Sequence, residues 1–143
     1  MRTIKFRARR KNGKWVVGNF INHFSTYFKT EERNSIFLPK PENDNGGYWV
    51  EDIDPETVGQ FTGLYDCDGK EIFEGDILLV NSTNKIFTGV VTWDKNEAYY
   101  KLFYFDNNII KQTPLFRWLY TDIILEVVGN VHDNKELMKG VER

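Results

Sequence analysis

Thr57-Val-Gly-Gln-Phe-Thr-Gly-Leu-Tyr-Asp-Cys-Asp-Gly-Lys-Glu-Ile-Phe-Glu-Gly-Asp-Ile-Leu-Leu-Val80 decides the fold. Residues 58–64 read as a strand. Asp66 to Gly69 reads as a tight turn, in which Asp and Gly supply the unusual φ. Residues 70–73 pair back as a return strand. Glu74-Gly75-Asp76 breaks the run, and residues 77–80 begin the next strand.

Upstream, residues 3–9 alternate. Ile4, Phe6 and Ala8 face one way and Thr3, Lys5, Arg7 and Arg9 the other, which is the period of a half-buried strand. Asn12-Gly13 is a preferred pair for a two-residue hairpin turn, and residues 14–20 form the return strand. Residues 21–28 are aromatic-rich and read as a third strand. Residues 29–35 are polar, and Ile36-Phe37-Leu38 is a short apolar island. The loop at 39–47 holds two prolines and two glycines and is the expected mobile segment. Asp54-Pro55-Glu56-Thr57 reads as a turn.

Downstream, residues 86–93 form a strand with Gly89 inside it, which points to a bulge or a close backbone approach. Residues 97–105 are apolar on both faces, so that strand is expected to be central and covered on both sides. Residues 115–120 read as a short strand or a single helical turn. Residues 123–131 form the last strand, interrupted by Gly129. Asp133 or Asn134 then caps a short helix over 135–139, with Gly140 at its end.

Regular turn signals between short strands predict a mainly β protein. It is an antiparallel meander forming a small barrel or curled sheet over 58–132, with an N-terminal β hairpin and a short C-terminal helix. Glu74-Gly75-Asp76-Ile77 follows the pattern by which SH3-like barrels open a strand after a bend, so the fold is expected to be SH3-like in part. A chain of 143 residues is the size of one domain. The 39–47 loop leaves room within it for two β lobes, 1–53 and 54–143. The expected core is Ile4, Phe6, Val58, Phe61, Leu64, Ile72, Ile77, Leu79, Val91, Trp93, Leu102 and Val127.

Cys67 is the only cysteine, so no intramolecular disulfide forms, as in a reducing cytosol. The N-terminus has no apolar core of signal-peptide length, and no apolar run could span a bilayer. A cytoplasmic protein without a membrane partner is expected. A net charge of −2 does not mark the whole molecule as a polyanion binder.

Four blocks occur in order along the chain: Ile4-Lys-Phe-Arg-Ala8, Val58-Gly-Gln-Phe-Thr-Gly-Leu64, Asp68-Gly-Lys-Glu-Ile-Phe-Glu-Gly-Asp-Ile77 and Glu126-Val-Val-Gly-Asn-Val-His-Asp-Asn134. Together they resemble the YopX family of phage and prophage proteins. Where that family usually carries an acidic or tryptophan-containing segment after the first block, this chain has Arg9-Arg10-Lys11. The resemblance implies a mostly β fold and a setting in phages of Gram-positive bacteria, hence the cytoplasm of a bacterial host. It supplies no catalytic residues to carry over.

Charge is the strongest local anomaly. Residues 1–14 hold Arg2, Lys5, Arg7, Arg9, Arg10, Lys11 and Lys14 and no acid. Residues 42–76 hold Glu42, Asp44, Glu51, Asp52, Asp54, Glu56, Asp66, Asp68, Glu71, Glu74 and Asp76 against Lys70 alone. One reading is that the two stretches complement each other within the fold, or simply solvate their strands. Another makes Lys5, Arg7, Arg9, Arg10 and Lys11 a phosphate-contacting ribbon, with Trp15 and Phe20 at hand for stacking. A third joins opposite faces of neighbouring subunits head to tail.

Other chemistry finds little support. Asp66-x-Asp68-Gly69 is too short for a calcium loop, and Gly75 stands where the bidentate glutamate is needed. His23, His132 and one cysteine cannot assemble a Cys/His zinc site. Glu71 and Glu74 fall on opposite faces of a strand, which does not favour an acid–base pair. No phosphate-binding glycine loop is present. The expectation is therefore not an enzyme, with no metal and no cofactor. It is a phage-encoded accessory protein that acts by binding a phage or host protein or by homo-oligomerising. The alternative is a nucleic-acid-binding module built on the basic hairpin.

Overall fold

A computed structural model describes residues 1–24, 32–40, 46–120 and 122–138, with only the backbone of 23 and 24. The protein is mainly β and antiparallel, as expected, and its only helices among the described residues are two short 3-10 turns. It divides into two compact units, Met1–Phe61 and Thr62–Arg143.

In the first unit, β1 (Phe6–Arg10) pairs with β2 (Trp15–Phe24), β2 with β3 (Glu32–Pro39), and β3 with the start of β4 (Tyr48–Tyr65). β4 then pairs with β1, which closes a four-stranded ring. Ring closure therefore falls among the N-terminal strands. Ala8, Val16, Ile36 and Ile53 fill the ring, and Phe6, Phe20, Leu38 and Val58 pack around them.

The β1–β2 turn is one residue longer than the two-residue turn that Asn12-Gly13 suggests. Gly13 N–H donates to the Arg10 carbonyl and Arg10 N–H to the Lys14 carbonyl. Only Gly13 takes positive φ, +86°, while Asn12 Oδ1 accepts the Lys14 N–H at 3.0 Å. This is a three-residue loop with glycine at its left-handed position. Two further readings need correction. Residues 54–57 do not turn the chain. They form a bulge inside β4, where Thr57 Oγ1 donates to the Asp54 carbonyl at 2.7 Å and the register against β1 shifts. Ile4 is 59% exposed, because it precedes the first residue of β1.

The second unit is an open five-stranded sheet in the order β10-β6-β7-β8-β9. Its strands are β6 (Asp76–Ser82), β7 (Lys85–Asp94), β8 (Tyr99–Asp106), β9 (Ile109–Pro114) and β10 (Ile123–Asn130). The short β5 (Glu71–Phe73) pairs with the end of β4. One face packs Leu78, Val80, Val91, Leu102, Tyr104 and Leu125 against Ile72 and Leu115. Of the other residues expected in the core, Phe61 and Ile77 are buried and Leu79 is half-buried. Leu64 and Val127 pack against this cluster. Trp93 is 42% exposed at a strand end, edge-on to Tyr100 at 4.9 Å.

Gly89 is a close approach, as expected. A Cβ there would stand 2.7 Å from Leu102 Cγ. Gly129 marks a bulge in the β10–β6 register. β8 lies between β7 and β9, with Leu102 and Tyr104 buried on one face and Phe103 and Phe105 half-buried on the other. Residues 115–120 begin as a single 3-10 turn, Leu115–Trp118, and the terminal helix is the 3-10 turn Lys135–Met138. Residues 41–45 of the 39–47 loop lie outside the described residues, with Glu42 and Asp44. So do residues 25–28 of the expected third strand, and Gly140; the described part of that strand, residues 21–24, continues β2.

Candidate binding cleft

Two short segments far apart in sequence build a cleft in the second unit. The first is the turn after β4. Asp66 N–H donates to the Lys70 carbonyl and Gly69 N–H to the Asp66 carbonyl, with Gly69 at φ +78°. The Asp66 side chain then turns inward. Oδ1 accepts the N–H groups of Asp68 at 2.9 Å and Lys70 at 2.8 Å. Oδ2 accepts the N–H of Val127 in β10 at 3.0 Å. Cys67 N–H adds a bond to the Leu125 carbonyl at 2.8 Å. Together Asp66 and Cys67 cover part of the outer edge of β10.

The second segment is the 3-10 turn Leu115–Trp118 and the residues after it. Leu115 is buried and anchors the turn. Trp118 Nε1 donates to Thr113 Oγ1 at 2.7 Å, and the indole meets Phe87 and Tyr104 edge-on at 5.3 and 5.8 Å. Leu119 N–H donates to the Phe116 carbonyl and Ile123 N–H to the Tyr120 carbonyl.

Between the segments lies a cavity of about 170 Å³ lined by Tyr65, Asp66, Cys67, Trp118, Leu119, Tyr120, Ile123 and Leu125. Tyr65, Leu119 and Tyr120 are exposed, at 53%, 44% and 64%, whereas Asp66 is 8% exposed. Burial pushes the Asp66 carboxyl up. The N–H donors of Val127, Lys70 and Asp68, with the Lys70 charge, outweigh it and hold the group below the usual carboxylate range. The Cys67 thiol is raised, first by partial desolvation and then by the charges of Asp68, Asp66 and Glu126. It is a protonated thiol at neutral pH, not an activated nucleophile.

The hairpin residues singled out from the sequence lie elsewhere, in the first unit. The Arg7 guanidinium sits over the Trp15 ring at 5.0 Å, and Lys5 over Phe61 at 4.9 Å. Arg10 pairs with Glu51 at 3.2 Å. Arg9 stands opposite Asp54 in the ladder, with its N–H on Thr57 Oγ1 at 2.8 Å. Lys11 is exposed and borders a hollow of about 340 Å³ shared with Glu32, Arg33 and Asp52. The basic strand thus pairs directly with the acidic β4, and Arg10 spends its charge there.

Asp76 and His132 take structural positions. Asp76 is 1% exposed and accepts the Phe73 N–H at 2.7 Å across the β5–β6 bend. His132 is half-buried in the turn after β10, its N–H on Asn130 Oδ1 at 3.0 Å. The side chain of His23 lies outside the described residues. Among the described residues no three His, Cys, Asp or Glu side chains gather as metal ligands, and no helix is long and apolar enough to cross a membrane.

Two antiparallel β units, with only 3-10 turns besides among the described residues, define a mainly β protein. The chain belongs to the YopX family, whose model, described as YopX protein, matches residues 5–139. It is also similar to a solved structure, "Crystal structure of protein EF1440 from Enterococcus faecalis". Identity is 23% and the TM-score 0.49, over 96% of this chain and 99% of that one. No curated protein matched.

Proposed function

We propose that this is a phage- or prophage-encoded accessory protein that acts by binding a protein partner, and that it is not an enzyme. The observation that carries this reading is the cleft. Exposed tyrosines flank a floor already fixed by Asp66, and rigid aromatic anchors beside a pocket are what protein interfaces use for most of their affinity. The phage setting comes from the family.

Self-association is a second reading with its own observation. The face of the five-stranded sheet opposite the Leu78–Leu102 core carries Leu79, Phe103 and Phe105, half-buried, beside Ile86, Ile110 and Ile124, which are 66%, 44% and 51% exposed. Isoleucines on one sheet face suit a second copy of the same face, related by a two-fold axis.

Affinity capture of the tagged protein from phage-carrying cells, with and without nuclease, tests the first reading. A specific protein retained after nuclease, and lost with Tyr65→Ala and Tyr120→Ala, supports it. Nucleic acid in the capture, with proteins lost on nuclease treatment, would overturn it in favour of the basic hairpin. Sedimentation of Ile86→Asp with Ile124→Asp tests the second: an oligomer that becomes a monomer supports it, and a wild-type monomer sinks it.

A further inference from the structure

Resting on the reading of the cleft as a protein-binding site, we propose that it receives an arginine side chain of the partner, the guanidinium lying against Tyr65, Trp118 and Tyr120 and directed at Asp66.

Asp66 gives the charge. A carboxylate offers about four acceptor positions. Three are taken by Asp68, Lys70 and Val127 N–H groups, which leaves one on Oδ2. The group lines the cavity while being 8% exposed. It is already desolvated and locked by the fold, so a ligand need not bear the cost of ordering it. Its ionisation at neutral pH follows from the same N–H donors.

Surrounding charge has the matching sign. Asp68 and Glu126 are exposed and, with Asp66, act on the Cys67 thiol in the cleft lining. Lys70 offsets part of this field at Asp66. Aromatic faces are themselves electronegative and attract cations, indole most strongly. A neutral apolar occupant would bring no donor to the Asp66 carboxylate that lines the cavity, which is unfavourable.

Size and shape select the cation. A cavity of about 150 Å³ is enough for one benzene-sized group, so about 170 Å³ has room for one side-chain head. A guanidinium is planar, stacks on rings and sheds water more readily than an ammonium.

The test uses the full chain, isotope-labelled, titrated with acetyl-Gly-Arg-Gly-amide and with the citrulline peptide, its neutral counterpart of nearly the same shape. Saturable shifts of the Val127, Asp68 and Lys70 amides are expected with arginine, about ten-fold weaker with citrulline. Alkylation of Cys67 by a neutral maleimide should slow several-fold with the arginine peptide. Tyr120→Ala, at an exposed position that leaves the core intact, should abolish both effects. Equal binding of the citrulline peptide, or no saturable shift at millimolar arginine peptide, would overturn the proposal. Protein capture that depends on Tyr65 and Tyr120, together with an arginine peptide that does not bind, would sink the cationic occupant and leave the cleft reading standing. Failure of both would sink both.

Discussion

The Val127 backbone N–H donates to Asp66 Oδ2 at 3.0 Å, across 61 residues of sequence. The same side chain closes its own turn through Asp68 and Lys70. Asp66→Ala removes the acceptor of all three donors at once. A loss of about 2–3 kcal/mol in urea unfolding is expected, since hydrogen bonds to a charged group are worth more than neutral ones. Asp66→Asn keeps one good acceptor oxygen and should lose less.

Acid should unfold the protein partly through a few aspartates. Asp66 is held below 3.8 for the reasons given above. Asp106 is held low by hydrogen bonds from Lys111 and Lys85, and Asp94 by the Glu97 N–H and the Lys101 ammonium. A depressed folded pKa means that the unfolded chain binds more protons in that window. The stability these groups give is thus fully present above 3.8 and lost as pH falls through their folded values. Urea midpoints should be flat near neutrality and fall below that pH, less steeply in Asp66→Asn. The sign reverses for Lys111, which Asp106 raises above 10.5: its contribution is full below that value and lost as pH climbs through the folded one.

Gly89→Val tests the close approach to Leu102. The new Cβ would meet a fully buried side chain at 2.7 Å. Overpacking of this kind costs roughly 1–3 kcal/mol. Thermal unfolding should show the loss, with Gly89→Ala between the two.

The Arg10–Glu51 pair should contribute little. Both side chains are 30% exposed. A double-mutant cycle is expected to give a coupling under about 1 kcal/mol, smaller still in high salt. A larger value would mean that the pair is needed to hold the ring of the first unit closed.

Legibility followed the range of the forces involved. The β4–β5–β6 stretch was readable because its turn chemistry is local: Asp66, Gly69 and Gly75 each sit within a few residues of what they bend. β3 was not, since Glu32, Arg33 and Asn34 look like a loop and gain a strand only from their pairing with β2. β9 escaped because its residues 109–112 are exposed, so no buried face imposes alternation, and Lys111-Gln112-Thr113 shows none. Its hairpin was signalled by Asn107-Asn108, which take φ of 50° and 63°. The cleft was invisible for a stronger reason. Tyr65 and Tyr120 carry no mutual spacing that a periodic reading could detect, and only the return of β10 brings their segments together.

That return also sets an order of events. β6, β7, β8 and β9 are joined by short hairpins and form from local contacts, whereas β10 must come back across the sheet to β6. Local pairing precedes long-range pairing because loop closure has to be met first. During synthesis β6 through β9 leave the ribosome before the strand that completes them. Until β10 arrives, β6 presents an open edge and Leu78 and Val80 lack Leu125 and Val127 beside them. An unpaired edge is a template for wrong pairing, and once β10 is in place the Val127 N–H bond to Asp66 Oδ2 helps hold it there.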